Sequence, residues 1–293
     1  MTTASARALL ASVVDYAGLF PPAALPIEAA VGEYRRRRRS PAAWMLGRFV
    51  VPAVQLAELG AALGDGDDLP WGTSALLGSD LPADLARVQA FNSGQCGRAL
   101  FVDTVELKAT TPEAAKAALA AVPPSLVAYV ELPVGSPSDL LALLHARGAR
   151  AKVRTGGVVA AAIPSAAELA GFLAASAAAL CPFKATAGLH HAVRGEHALT
   201  YEAQAPRALM HGFLNVFAAA VIARTGSGAG ELEAVLEERD PRAFRLDDDG
   251  LGWRDRRVPT PQVARCRASF ALSFGSCSFA EPVDELRGLG VLP

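Results

Sequence analysis

Among 28 lysines and arginines, only four are lysine: Lys108, Lys116, Lys152 and Lys184. The chain meets its general need for positive charge with arginine, so a lysine at a strand end marks a place where an amine itself is wanted. An arginine keeps its proton in a protein. A lysine that is desolvated, or set beside another cation, can become a neutral nucleophile and attack a carbonyl. Lys152 and Lys184 each follow a short apolar run and precede a small-residue turn, in Arg150-Ala-Lys-Val-Arg-Thr-Gly-Gly157 and Cys181-Pro-Phe-Lys-Ala-Thr-Ala-Gly188. On neighbouring strands the two ammonium groups are expected to lower each other's pKa. Binding of an anionic substrate and pairing with a buried carboxylate are the competing readings of the same two lysines.

Other residues offer proton transfer and binding. Asp15 interrupts an apolar run, and Glu131 lies just before Pro133; both suit strand-end acids or caps of the loop backbone. His190 is a third group that could move protons. Arg154 can clamp a carboxylate or phosphate, or pair with Glu131. Gly156, Gly157, Thr186, His191, Asn215 and Ser276 are expected to contact substrate, although Asn215 needs hydrogen-bond partners of some kind if it is buried. Cys277, in Gly275-Ser-Cys-Ser278, would be a nucleophile only with a base that the sequence does not identify. No cofactor is expected. The alternative is a divalent metal held by His190, His191 and His211, which would polarise a carbonyl or activate water. Adjacent histidines point opposite ways in regular structure, and no H-E-x-x-H motif backs the metal.

These side chains need a scaffold. Short apolar runs recur at Val13–Phe20, Arg48–Pro52, Thr73–Leu77, Ala99–Asp103, Leu126–Leu132, Ala149–Arg154 and Leu180–Ala185. Helix signals fall between them. Thr111-Pro112-Glu113 supplies a cap and a first-turn proline, Ser165 with Glu168 a capping box, and Gly148 a stop. The alternation repeats every 25 to 30 residues or so, about one strand-crossover-helix unit. It predicts an α/β fold, a TIM-type (β/α)8 barrel formed as a single domain over residues 1–293, with an irregular C-terminal part. The eighth strand is expected in Ser269–Phe279. An open doubly wound sheet is the alternative, and it lacks its usual glycine-rich nucleotide motifs here. Pro206–Arg224 reads as a buried helix or a strand running into one, and Phe244–Trp253 as a hairpin turning at Asp249–Gly250.

Composition bounds the partners. At 52% hydrophobic and 19% charged, the chain can bury a large core, and its net charge of −1 offers no field for nucleic acid or an anionic membrane. The run Arg35–Arg39 reads as a solvated helix end facing that helix's negative pole. No apolar segment looks long enough to span a bilayer. Cys96, Cys181, Cys266 and Cys277 are too dispersed for a disulfide framework or a structural zinc site, which fits a cytoplasmic location. A small-molecule substrate is the expected partner, and a homo-oligomer stays open.

Lys152-Val-Arg-Thr-Gly156 resembles the K-x-x-T-G strand end of deoxyribose-phosphate aldolases and related class I, Schiff-base barrel aldolases. Phe183-Lys184-Ala-Thr-Ala-Gly188 is similar to their following lysine strand, and Val14-Asp15-Tyr16 to their first-strand acidic segment. The segments Phe183–His191 and Phe274–Phe279 also resemble those of a family of bacterial proteins. The aldolase resemblance implies a lyase acting on a small carbonyl compound through a lysine imine. By strand count, Lys152 on the sixth strand would form the imine and Lys184 on the seventh would relay protons. A reading shifted by one strand exchanges them. The His190–His191 pair has no counterpart in that family. A metal-dependent barrel hydrolase or lyase, and a non-catalytic small-molecule binding barrel, are the remaining alternatives.

Overall fold

The computed structural model describes residues 1–63, 71–94, 100–135 and 138–293. Eight parallel strands close into a barrel: β1 (Val14–Tyr16), β2 (Leu46–Pro52), β3 (Trp71–Leu76), β4 (Leu100–Lys108), β5 (Val127–Leu132), β6 (Arg150–Arg154), β7 (Phe183–Thr186) and, after five further strands, the closing strand. A two-stranded antiparallel sheet, β8 (Gly195–Ala198) and β9 (Arg207–Met210), follows β7. A three-stranded sheet comes next, formed by β10 (Phe244–Leu246), β11 (Gly250–Trp253) and β12 (Arg256–Pro259). The eighth barrel strand is β13 (Ala271–Ser276), inside the segment expected to hold it, and it pairs with both β7 and β1.

The helix signals act as written. Thr111 accepts the N–H of Ala114 at the start of the helix Pro112–Ala121. Ser165 and Glu168 form the reciprocal capping box of the helix Ala166–Ala178. Gly148, with φ +66°, ends the turn after the helix Ser138–Ala146. The basic run closes the helix Ile27–Arg38, where Arg36 and Arg37 pair with Glu33.

Four expectations need adjusting. The fourth strand runs to Lys108 and not to Asp103, while its expected first residue, Ala99, and also Cys96 lie outside the described residues. Pro206–Arg224 narrows to the second of its two readings, a strand running into a helix: β9, then the helix Phe213–Ala223, which is apolar but for Asn215 and buried at every residue. The hairpin turns at residues 247–249, because Gly250 already pairs with Pro259 in the next ladder and its hydrogen atom faces the backbone of Val258, where no Cβ fits. Finally, Ala160–Ala178 is a 19-residue helical stretch long and apolar enough, by length and composition, to cross a membrane. Pro164 and Ser165 divide it, and its longer part lays Leu169, Phe172 and Leu173 against the core.

Outside the barrel wall, Tyr16, Phe49 and Trp71 from β1 to β3 meet Tyr34 of the helix Ile27–Arg38. The closest ring centroids, those of Tyr34 and Trp71, are 4.6 Å apart. These contacts lock one side of the barrel with apolar packing. The interior of the other side is charged.

Candidate active site

Parallel register sets the interior layer. Glu131 of β5 pairs with Lys152 of β6, Lys152 with Lys184 of β7, and Lys184 with Ser273 of β13. From these positions a chain of alternating charges runs across the barrel. Lys184 Nζ lies 2.5 Å from Asp15 Oδ2 and 2.7 Å from Glu106 Oε1. Lys152 Nζ lies 2.8 Å from Glu106 Oε2 and 2.8 Å from Glu131 Oε2. Glu106 is therefore shared, one oxygen to each lysine. Ser74 donates to its Oε1 at 2.7 Å, and Ser273 donates to Asp15 Oδ2 at 2.8 Å. The backbone N–H of Arg48 donates to the other Asp15 oxygen, and Gly47 beside it leaves the space a Cβ would take from that carboxylate. The ring of Tyr129 faces Lys184 Nζ at 5.4 Å, and its hydroxyl oxygen accepts a hydrogen bond from Arg150.

The five charges are all buried, and their pairing decides their protonation. Burial alone would neutralise the Glu106 carboxyl, but Lys152 and Lys184 outweigh it and hold the group far below the usual carboxylate range. Burial would likewise depress Lys184, yet Asp15 and Glu106 raise it above the usual lysine range. The expected lowering of Lys184 by its neighbour is thus corrected, because a carboxylate stands between the two lysines. Glu131 is also held low: the Lys152 ammonium overrides the effect of burial, helped by Lys108 at 3.5 Å and Arg154 at 3.9 Å.

A pocket of about 270 Å³ opens above this chain at the carboxyl ends of the strands. Active sites on barrels of this kind lie at that end. Glu106, Glu131, Lys152 and Lys184 form its floor, Lys108, Arg154, Gly157, Thr186 and Gly188 its wall, and His190 and Cys277 its far edge. Asp15 lies behind Lys184, outside the lining. The two lysine loops are tied together: Thr155 Oγ1 donates to the Ala187 carbonyl at 2.7 Å, and Gly156 packs on Gly188 so closely that a Cβ on Gly188 would lie 2.9 Å from the Gly156 Cα. Gly156 therefore serves loop contact and is absent from the pocket wall.

The remaining candidates separate. His191 turns away to a smaller neighbouring pocket, 2.5 Å from Glu285 and stacked on His197 at 3.4 Å. Ser276 is buried, 3.3 Å from His190 Nδ1. Asn215 is structural: it donates to the carbonyls of Val235 and Glu238 and accepts from the N–H of Arg194, all within 2.9 Å. His211 is buried elsewhere, with one ring nitrogen against Arg194 and the other against the Pro164 carbonyl, and burial pushes its pKa down to about 4. The structure does not bring it together with His190 and His191. Among the described residues no three His, Cys, Asp or Glu side chains are grouped to hold a metal ion.

Glu106 was missed from the sequence because the fourth strand was ended at Asp103. Carrying the strand on would have placed Thr104, Glu106 and Lys108 on one face by the period of two.

No family model and no curated protein matches the chain. A solved structure described as the unique tetrameric structure of deoxyribose phosphate aldolase from Aeropyrum pernix is similar to it, covering 98% of this chain and 97% of that one, with 14% identity and a TM-score of 0.49.

Proposed function

We propose that this chain is a class I aldolase-like lyase, acting on a small carbonyl compound through an imine on Lys152. The observation that carries this reading is the shared carboxylate: Glu106 binds two buried lysines on adjacent strands, at the floor of a pocket sized for a small molecule. The resemblance of the Lys152–Gly156 and Phe183–Gly188 segments to aldolase strand ends points the same way.

The two lysines differ in a manner that supports this division of roles. Lys184 is the more deeply buried, and Asp15 and Glu106 keep it a cation. Lys152 stands between Glu106 and Glu131, and Glu131 also lies near Lys108 and Arg154 of the pocket wall. Transfer of the Lys152 proton to Glu131 over 2.8 Å frees the amine to attack a carbonyl carbon. The carbonyl oxygen takes a proton from the Lys184 ammonium, which recovers one from the attacking nitrogen; a second proton, from Glu131, turns the oxygen into water, which leaves. The resulting iminium accepts the electron pair of the bond between its α and β carbons as that bond breaks, while the β-hydroxyl gives its proton to the Glu131 carboxylate; the reverse sequence forms the bond. Glu106 keeps the remaining positive charge neutralised throughout. Arg154, with its side chain 49% exposed at the rim, suits a polar or anionic end of the substrate.

Borohydride reduction in the presence of small aldehydes and ketones, followed by intact-mass measurement and peptide mapping, tests the imine. An adduct on Lys152 that is lost in Lys152→Met is expected. No adduct with any carbonyl compound, or one unaffected by replacing both lysines, would sink the proposal.

A further inference from the structure

The loops around the pocket hold a second reactive cluster that the lysine chemistry leaves unused. Cys277 directly follows β13 and lines the same pocket as Lys152 and Lys184. Its Sγ lies 3.9 Å from Nδ1 of His190 and 3.5 Å from the Tyr201 hydroxyl. The same Nδ1 is 3.2 Å from Glu281 Oε2, in the first turn of the helix Ala280–Gly288. The base partner that the sequence could not identify for Cys277 is therefore His190, carried in from the loop after β7.

Burial opposes charge on His190, but Cys277 and Glu281 outweigh it and push its pKa up to about 9. At neutral pH the ring is a cation. It sets a positive charge 3.9 Å from the Cys277 sulfur, where it stabilises the nucleophilic thiolate once the proton leaves. The other titratable groups facing the pair are Tyr201, raised above the usual tyrosine range by burial, and Tyr16, raised by burial as well. His191 is next to it, its ring centroid 6.5 Å from that of His190, and is held by Glu285. Burial pushes Cys181 and Cys266 up to about 12 and about 11, outweighing Arg267 and Arg224 near Cys266, and their sulfurs lie against the carbonyls of Pro182 and Ala220.

The geometry points to Cys277, paired with His190 and oriented by Glu281, as a second nucleophilic centre of the pocket that adds to the carbonyl carbon of an aldehyde. In that step the sulfur electron pair forms the S–C bond, the carbonyl π pair moves to oxygen, and the oxygen takes the Nδ1 proton of His190. Nothing is oxidised and no group leaves, so the product is a thiohemiacetal that reverses by the same route. The choice of an aldehyde rests on the imine reading of Lys152; the nucleophilicity of Cys277 does not.

Iodoacetamide labelling at neutral pH, followed by peptide mapping, tests the pair. Cys277 is expected to label at least about tenfold faster than Cys181 and Cys266 in the same sample, and about tenfold slower in His190→Gln than in the parent protein. Continued protection of Cys181 and Cys266 in the variant shows that it is folded. Propanal is expected to slow labelling of Cys277 reversibly, and to do so in Lys152→Met as well, where no imine can form at that position. Labelling of Cys277 no faster than that of the two buried thiols overturns the centre on the parent protein alone, and so does an unchanged rate in a folded His190→Gln. Fast labelling with no protection by propanal overturns the aldehyde as its ligand. Borohydride trapping reports separately on Lys152, so the two proposals fail by different measurements.

Discussion

Two clusters meet in one pocket, and they are built in different ways. Asp15, Glu106, Glu131, Lys152 and Lys184 all project from barrel strands, and their neighbours are set by ladder register. Cys277, His190, Tyr201 and Glu281 come from loops and a helix start, and reach one another through chain reversals such as the left-handed pair Ala187 and Gly188, with φ of +59° and +75°. The strand cluster is buried and sets three carboxylates against two lysines, with Lys108 and Arg154 beside Glu131; removing one member strands its partners in the interior. The loop cluster sits at the pocket edge, where lost contacts can be replaced by water or by a ligand. Charges held on strands thus add rigidity and protonation control, while charges held on loops add reactivity at lower structural cost.

The sharpest way to break this comparison is Lys184→Met. It leaves Asp15 and Glu106 buried with one fewer counter-charge, so a loss of about 3–5 kcal/mol is expected in denaturant unfolding. A loss below about 1 kcal/mol, the range of an exposed ion pair, would mean that the strand cluster is no more structural than the loop one. Glu106→Gln keeps the shape but sets two ammonium groups against a neutral amide. It should cost about 2 kcal/mol and lower the pKa of Lys184, which then keeps Asp15 as its remaining carboxylate partner. Gly188→Ala should cost about 1–2 kcal/mol, because the left-handed backbone disfavours a side chain and the new Cβ meets Gly156. Its effect on activity should exceed its effect on stability, since the same turn leads to His190.

The smallest effect lies in pH. His190 is raised when folded, so its contribution to stability is complete below its unfolded value near 6.5 and is lost as pH rises through about 9. Between those limits the parent protein should lose stability that His190→Gln does not. Parallel unfolding curves for the two across that window would show that His190 gains nothing from Cys277 and Glu281.

The barrel was legible because its evidence is local. Alternating strands and helices, Thr111, the Ser165–Glu168 box and Gly148 all mark their elements within a few residues, and eight such units need a closed or open parallel sheet. The two lysines were legible for a related reason: in a chain that otherwise uses arginine, each ends an apolar run before a small-residue turn. The expectation that Asn215 contacts substrate, and the alternative that His211 holds a metal, rest on polar residues in an apolar stretch, which look the same whether they serve a ligand or, as here, the protein's own carbonyls.

The sequence by itself determined the alternation of strands and helices and the placing of Lys152 and Lys184 on two consecutive strands, since hydrophobic period and turn chemistry act between near neighbours. Tertiary structure alone decided that Glu106 stands between those lysines, reversing the expected drop in Lys184's pKa, and that Cys277 meets His190. Both depend on closure of the barrel, which brings side chains far apart in the chain to within hydrogen-bonding distance, where burial strengthens every charge they carry.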